Sequence, residues 1–112
     1  MYLMKLVACE ILIPVLSDVT RQPWPADKVR AWRDDLAAKF GGFTIRGVVA
    51  GVWTDENGVQ VADGSVCYLV AVEKARLPEL RAFAREAARV FEQRCIYFQI
   101  VGAAELLYPD EE

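Results

Sequence analysis

The segment FTIRGVVAGVWTDENGVQVADGSVCYLVAVE, residues 43–73, has the composition of two strands joined by a turn. Residues 43–53 and 65–73 are rich in β-branched and aromatic side chains. Between them, Asn57-Gly58 is a pair that tolerates positive φ at the centre of a hairpin turn, and Asp63-Gly64 indicates a bulge in the returning strand. The segment therefore predicts a β-hairpin in the middle of the chain.

One strand and one helix are predicted on each side of this hairpin. An apolar run over residues 2–16 predicts the first strand, and Pro25 and Asp27 lie where a helix start favours them. Gly41-Gly42 ends that helix. A second helix begins near Leu77-Pro78-Glu79, and residues 95–101 form the last strand.

The predicted order is β-α-β-β-α-β, which is the plan of the ferredoxin-like α+β fold. Right-handed crossovers place both helices on one face of a four-stranded antiparallel sheet, with the first and third strands in its centre. The chain of 112 residues, 54% of them apolar, suits a single domain over residues 1–112 whose acidic end, residues 110–112, frays. No apolar run approaches the roughly 20 residues of a membrane span.

Charge and composition exclude several classes of function. The net charge of −3 disfavours nucleic acid and anionic membranes as partners. The absence of histidine excludes Ser-His-Asp and Cys-His catalysis and histidine-ligated zinc or haem. Cys9, Cys67 and Cys95 lie far apart beside apolar residues, which predicts buried, reduced thiols in a cytoplasmic protein. We expect no metal and no organic cofactor.

Two helices on one side leave the other face of the sheet open. Alternation along the strands assigns these residues to the open face: Met4, Leu6, Ala8, Glu10, Leu12, Thr44, Arg46, Cys95, Tyr97, Gln99 and Val101. The third strand is ambiguous in this respect. Because so much of this surface is apolar, the sequence predicts a homodimer through the open sheet face.

A polar group on the open face has two interpretations. Glu10, Arg46, Tyr97 and Gln99 belong to it, together with Tyr68 if the third strand presents that side chain. A desolvated Glu10 carboxylate can serve as a general base, with Tyr97 and Gln99 orienting a small substrate. The other interpretation is a hydrogen-bond network that satisfies buried polar atoms in a dimer interface. Spacing alone does not separate the two.

Two further surfaces are candidates for partner binding. Arg81, Arg85 and Arg89 recur every four residues on the second helix and form a positive ridge that suits phosphate or an acidic partner. Nearby glutamates also make this ridge an ordinary solvated helix face. Trp53 near the hairpin tip and Trp24 before the first helix are aromatic candidates for an interface, and either can equally cap the edge of the core.

Four short motifs carry a resemblance to a known family. They are Phe40-Gly41-Gly42-Phe43-Thr44, Gly51-Val52-Trp53 with Gly58, Asp63-Gly64-Ser65, and Phe91-Glu92-Gln93 followed by Ile96-Tyr97. Over residues 27–101 the chain resembles a family of small bacterial proteins catalogued as a domain of unknown function. The resemblance implies the βαββαβ plan and no catalytic residue.

These observations favour a binding, regulatory or inhibitor module over an enzyme. Such a module contacts another protein or a small ligand, with Arg46, Trp53, Tyr68 and the arginine ridge as candidate contacts. The alternative is a cofactor-independent enzyme of the dimeric α/β-barrel kind that acts on a small molecule with Glu10 as base. Replacing Glu10 by glutamine separates the two hypotheses.

Overall fold

The structure, a computed structural model, describes residues 5–109 and has the predicted order of elements. Its elements are β1 (Leu6–Pro14), α1 (Ala26–Phe40), β2 (Thr44–Thr54), β3 (Gln60–Glu73), α2 (Leu77–Val90) and β4 (Tyr97–Ala104). The strands form one antiparallel sheet in the order β2-β3-β1-β4. This α+β arrangement is compatible with the ferredoxin-like fold. The start of the predicted first strand, the open-face position of Met4 and the fraying of residues 110–112 lie outside the described residues.

Local sequence accounts for both ends of α1. Pro25 has a φ of −58° and precedes the first helical residue, so its missing N–H removes no helical hydrogen bond. Gly41 adopts the left-handed conformation with φ of 85°, and its N–H donates to the carbonyl of Ala37 at 2.8 Å. A side chain at that φ is strained, which is why glycine ends the helix there.

The core lies between the two helices and the inner face of the sheet. Its largest members meet edge to face: the Trp32 ring lies 5.0 Å from the Tyr68 ring and 5.5 Å from the Phe91 ring. The other buried apolar residues are Cys9, Ile11, Ile13, Leu36, Phe40, Val70, Val72, Leu80, Ala84 and Ala87. Burial of each large side chain contributes roughly 1.5–3 kcal/mol. This packing holds both helices on one side of the sheet.

The hairpin differs from its prediction in three ways. β3 begins at Gln60 and runs through Asp63-Gly64 without a bulge, and on its other side the Gly64 carbonyl accepts a hydrogen bond from Val15 N–H at 2.9 Å. The bulge lies instead on β2, where the register shifts at Arg46. The connecting loop covers residues 55–59 and turns at Asn57-Gly58, where Gly58 alone has a positive φ; in it the Asp55 carboxylate accepts the N–H groups of Asn57 and Val59 at 2.9 Å each.

β2 is one of the two edge strands of the sheet, the other being β4, and it is exposed over most of its length. Its helix-side residues Val48 and Val52 are 71% and 66% exposed, because the hairpin extends past the helices. The Leu106, Leu107 and Tyr108 side chains, which follow β4, are exposed as well. Among the described residues, no helix combines the length and apolar character needed to cross a membrane.

Candidate open-face site

The strand register assembles most of the predicted polar group on the face without helices. Glu10 lies between Leu69 of β3 and Gln99 of β4. One step further along the same face, Leu12 lies between Cys67 and Tyr97. No helix covers this face within residues 5–109; Tyr97 and Gln99 are exposed there, whereas Cys67 is buried.

Glu10 and Arg46 form an ion pair across the sheet. Arg46 Nη1 donates to Glu10 Oε1 at 2.5 Å. The Glu10 side chain is 19% exposed and that of Arg46 is 52% exposed, so the carboxylate sits in the sheet while the guanidinium reaches it from the solvent side. The bulge at Arg46 adds one residue to β2 at this point and lets the side chain cross over β3.

Cys67 is a member of this group that the sequence did not single out. Its thiol is buried, and burial raises its pKa; the negative charge of Glu10 beside it acts in the same direction. On the other side of β1, the Tyr97 hydroxyl donates to Gln99 Oε1 at 3.2 Å. The open face therefore presents a carboxylate, a guanidinium, a thiol, an amide and a phenol in one cluster.

Tyr68 does not belong to this cluster. Its side chain lies on the helix side, 1% exposed, with its ring edge-on to Trp32 and to Phe43. The hydroxyl accepts a hydrogen bond from Arg33 Nε at 2.8 Å. The sequence left the face of Tyr68 open because both alternating sets of β3 are apolar. In the structure the Tyr68 ring fills the core, so a ligand on the open face cannot reach this side chain.

A pocket of about 650 Å³ lies on the open face beside the polar cluster. Leu12, Ser65 and Tyr97 form its floor, and Val49, Gly51 and Trp53 of β2 form one wall. The opposite wall is the segment Gln93–Cys95, which precedes β4. Ligand sites for small organic molecules have volumes of roughly 300–1,000 Å³ and mostly apolar linings. This pocket has both properties.

Contacts between distant segments hold the second wall. Ser17, which is buried, donates its hydroxyl hydrogen to Glu92 Oε2 at 2.6 Å. Gln93 Nε2 donates to the carbonyl of Leu16 at 3.1 Å. Arg94 pairs with Glu56 of the hairpin loop, so the two walls also meet at the mouth of the pocket. Sequence reasoning did not identify this wall, because its partners lie up to 77 residues apart.

The lining combines aromatic rings with carboxylates. Trp53 and Tyr97 are 40% and 57% exposed and line the same pocket. Asp63 contributes a carboxylate from β3, and Asp18 contributes another, which lies 3.7 Å from Arg21. Within residues 5–109, no three acidic or cysteine side chains converge into a set of metal ligands. The pocket thus suits an organic molecule with a planar part and a positive charge.

The remaining candidates lie away from the pocket or in the core edge. Arg81, Arg85 and Arg89 are exposed on α2, on the helix side of the sheet, and Arg89 pairs with Glu86 at 3.4 Å. Trp24 is partly buried; it packs edge-on against Phe91 and donates its Nε1–H to the carbonyl of Pro14 at 2.8 Å.

One cysteine prediction is wrong. Cys9 and Cys67 are buried thiols as expected, whereas Cys95 is exposed. Cys95 precedes β4 rather than lying inside it, so no neighbouring strand covers it.

Comparison with known proteins shows a shared fold. A solved structure described as a phage SAM lyase in complex with S-methyl-5'-thioadenosine superposes with a TM-score of 0.62 over 100% of this chain and 96% of that chain, at 14% sequence identity. At this identity the likeness concerns the fold alone. No protein-family model and no curated protein matches the sequence, so the resemblance to a family of unknown function stays a prediction.

Proposed function

We propose that this protein binds a small organic molecule in the open-face pocket. The observation that carries the proposal is the pocket itself, about 650 Å³ in volume, with Trp53 and Tyr97 in its lining. Stacking of a planar base on an aromatic side chain contributes roughly 1–3 kcal/mol. A nucleoside-like ligand fits this lining, and the ligand named for the phage lyase of similar fold supports the choice of that class.

The carboxylates define the charge of the preferred ligand. Asp63 lies on the pocket lining, and no positively charged side chain pairs with it among residues 5–109. Arg94, the cation at the mouth, is held by Glu56. A ligand with a positive sulfur or nitrogen therefore gains from Asp63, and an anionic ligand does not.

Titration calorimetry with S-methyl-5'-thioadenosine tests the aromatic part of the proposal. Replacing Trp53 by alanine weakens binding by about 10- to 100-fold, which corresponds to the loss of one stacked ring. The matched control is Val59→Ala, in the same hairpin but outside the lining. Failure of the wild-type protein to bind this nucleoside or any planar cation at millimolar concentration contradicts the proposal, as does equal weakening by both variants.

The charge preference has its own comparison. SAM carries a sulfonium where S-methyl-5'-thioadenosine carries a neutral sulfur. The Asp63→Asn variant should weaken binding of SAM several-fold more than binding of the neutral thioether, because only the first loses a favourable charge interaction. Equal effects on both ligands show that the carboxylate contributes nothing specific to charge.

A second candidate function is catalysis with Glu10 as general base. The observation that favours it is the position of the Glu10 carboxylate on the same face as Tyr97, which lines the pocket. In this scheme the carboxylate takes a proton from the bound substrate, and Tyr97 and Gln99 orient that substrate. Glu10→Gln should then abolish turnover while binding persists. If the wild-type protein binds SAM and releases no product over hours, catalysis on this ligand is contradicted.

Dimerisation through the open face stays a prediction. A second copy packed there would enclose the pocket. Regulatory or inhibitory contact with another protein through the arginine ridge of α2 also stays a prediction.

A further inference from the structure

Natural edge strands carry lysine, proline, several charges or a β-bulge, which prevent another strand from adding to them. The bulge of β2 lies at Arg46, and residues 47–54 beyond it pair with β3 in a regular register. β2, with the sequence TIRGVVAGVWT, has no lysine or proline and one charge, Arg46. That charge is engaged with Glu10 across the sheet. From Gly47 to Thr54 the edge is therefore uncharged.

The backbone of β2 presents hydrogen-bonding groups outward. Asp55 N–H donates to the carbonyl of Val59 at 2.9 Å, which sets the alternation of the antiparallel ladder with β3. Residues two apart share the same direction, so Val48, Ala50 and Val52 direct their N–H and C=O groups away from β3. These three residues form a template for another strand.

We propose that β2 pairs with β2 of a second copy, antiparallel about a two-fold axis at Ala50. In that register Val48 lies opposite the partner's Val52, and Gly47 lies opposite the partner's Trp53. Both valines are more than 60% exposed in a single copy, and β-branched cross-strand pairs are among those that stabilise a sheet. An aromatic ring over a glycine is a favourable edge pairing as well.

The sequence of β2 favours a second copy over an unrelated strand because it is self-complementary. On the helix side, a two-fold axis at Ala50 pairs Val48 with the partner's Val52, both of them large. On the open face it pairs the small Gly47 with the partner's large Trp53. It opposes no like charges. An axis one residue earlier, at Val49, would oppose Gly47 to the partner's Gly51 and lose these contacts. The paired strands would form one continuous sheet of two copies.

Light scattering on a size-exclusion column tests the proposal. We expect a particle of twice 12.6 kDa for the wild-type protein at about 100 µM and 12.6 kDa for Ala50→Pro. Proline there lacks the outward N–H only, so the ladder with β3 and the circular dichroism spectrum are retained. Val19→Lys, at an exposed loop residue, is the control and remains dimeric.

A charge exchange identifies the register. Val48→Lys and Val52→Glu alone should each reduce the dimer at least tenfold in association constant. Combined in one chain they should restore it, because each lysine then faces a glutamate of the other copy; added salt weakens the restored dimer.

Three results would overturn the edge pairing. They are a monomeric wild-type protein, failure of the double variant to restore the dimer, and dimers that resist Ala50→Pro. If Leu12→Lys on the open face gives monomers and the β2 variants do not, the copies associate through the open face instead.

Discussion

Replacing Ser17 with alanine removes the hydroxyl that joins two loops of the protein. Ser17 is 1% exposed, and its Oγ donates to Glu92 Oε2 at 2.6 Å. The same oxygen accepts the N–H groups of Val19 and Thr20 at 3.0 and 3.1 Å. Through Glu92 this residue holds the start of the segment that forms one wall of the pocket.

The expected loss of stability follows from these contacts. A hydrogen bond to a charged acceptor contributes about 1.5–3 kcal/mol, and a neutral one about 1 kcal/mol. Glu92 and both N–H donors can be rehydrated, because their residues are exposed, so the sum is reduced to about 2 kcal/mol. For a chain of this length the unfolding entropy is about 0.24 kcal/mol/K, so Tm should fall by about 8 °C.

Thermal and urea unfolding followed by circular dichroism measure this change. Thr20→Ala is the matched control, because its exposed hydroxyl accepts one N–H, that of Gln22, at 3.2 Å. It should change stability by less than about 0.5 kcal/mol. Hydrogen exchange at Gln93 and Arg94 should accelerate in Ser17→Ala alone. If the two variants unfold within about 2 °C of each other, the contact between the loops does not stabilise the pocket wall.

Further predictions concern the core, the thiols and the helix surface. Tyr68→Phe should lower the urea midpoint by the equivalent of about 1 kcal/mol, because Arg33 Nε–H loses the hydroxyl that accepts its hydrogen bond; an unchanged midpoint contradicts this. Cys95 should react first with a thiol reagent in the native protein, and Cys67 only after denaturation. Burial raises the pKa of the Cys67 thiol, so its contribution to stability is complete below about pH 8.5 and is lost as the pH rises further. The free energy of unfolding should therefore decrease less between pH 7 and pH 10 in Cys67→Ala than in the wild-type protein. Arg89→Ala should leave Tm within about 2 °C of wild type, since its ion pair is exposed.

Helix ends and element order were predictable because they depend on neighbouring residues. Gly41 ends α1 through its own left-handed backbone, and Pro25 precedes its first turn. The choice of face on β3 was not predictable, since Tyr68 and Leu69 belong to two equally apolar sets. The core space beside Trp32 decided it. In the loop at residues 55–59, Gly58 of the predicted Asn57-Gly58 pair has a positive φ of 78° and Asn57 does not, and the Asp55 carboxylate binds two N–H groups.

The sequence by itself determined the α+β order, the open face and the assignment of Glu10, Arg46, Tyr97 and Gln99 to that face, because alternation along strands and known crossovers suffice for these. The contact of Arg46 with Glu10 also needed the bulge of β2. The tertiary structure alone decided where the pocket lies. Its walls come from the hairpin and from residues 93–95, and the contacts that hold them, Ser17 with Glu92 and Arg94 with Glu56, join residues far apart in the chain. Such contacts leave no local pattern, since each depends on how the packed helices and the hairpin bring the two segments together.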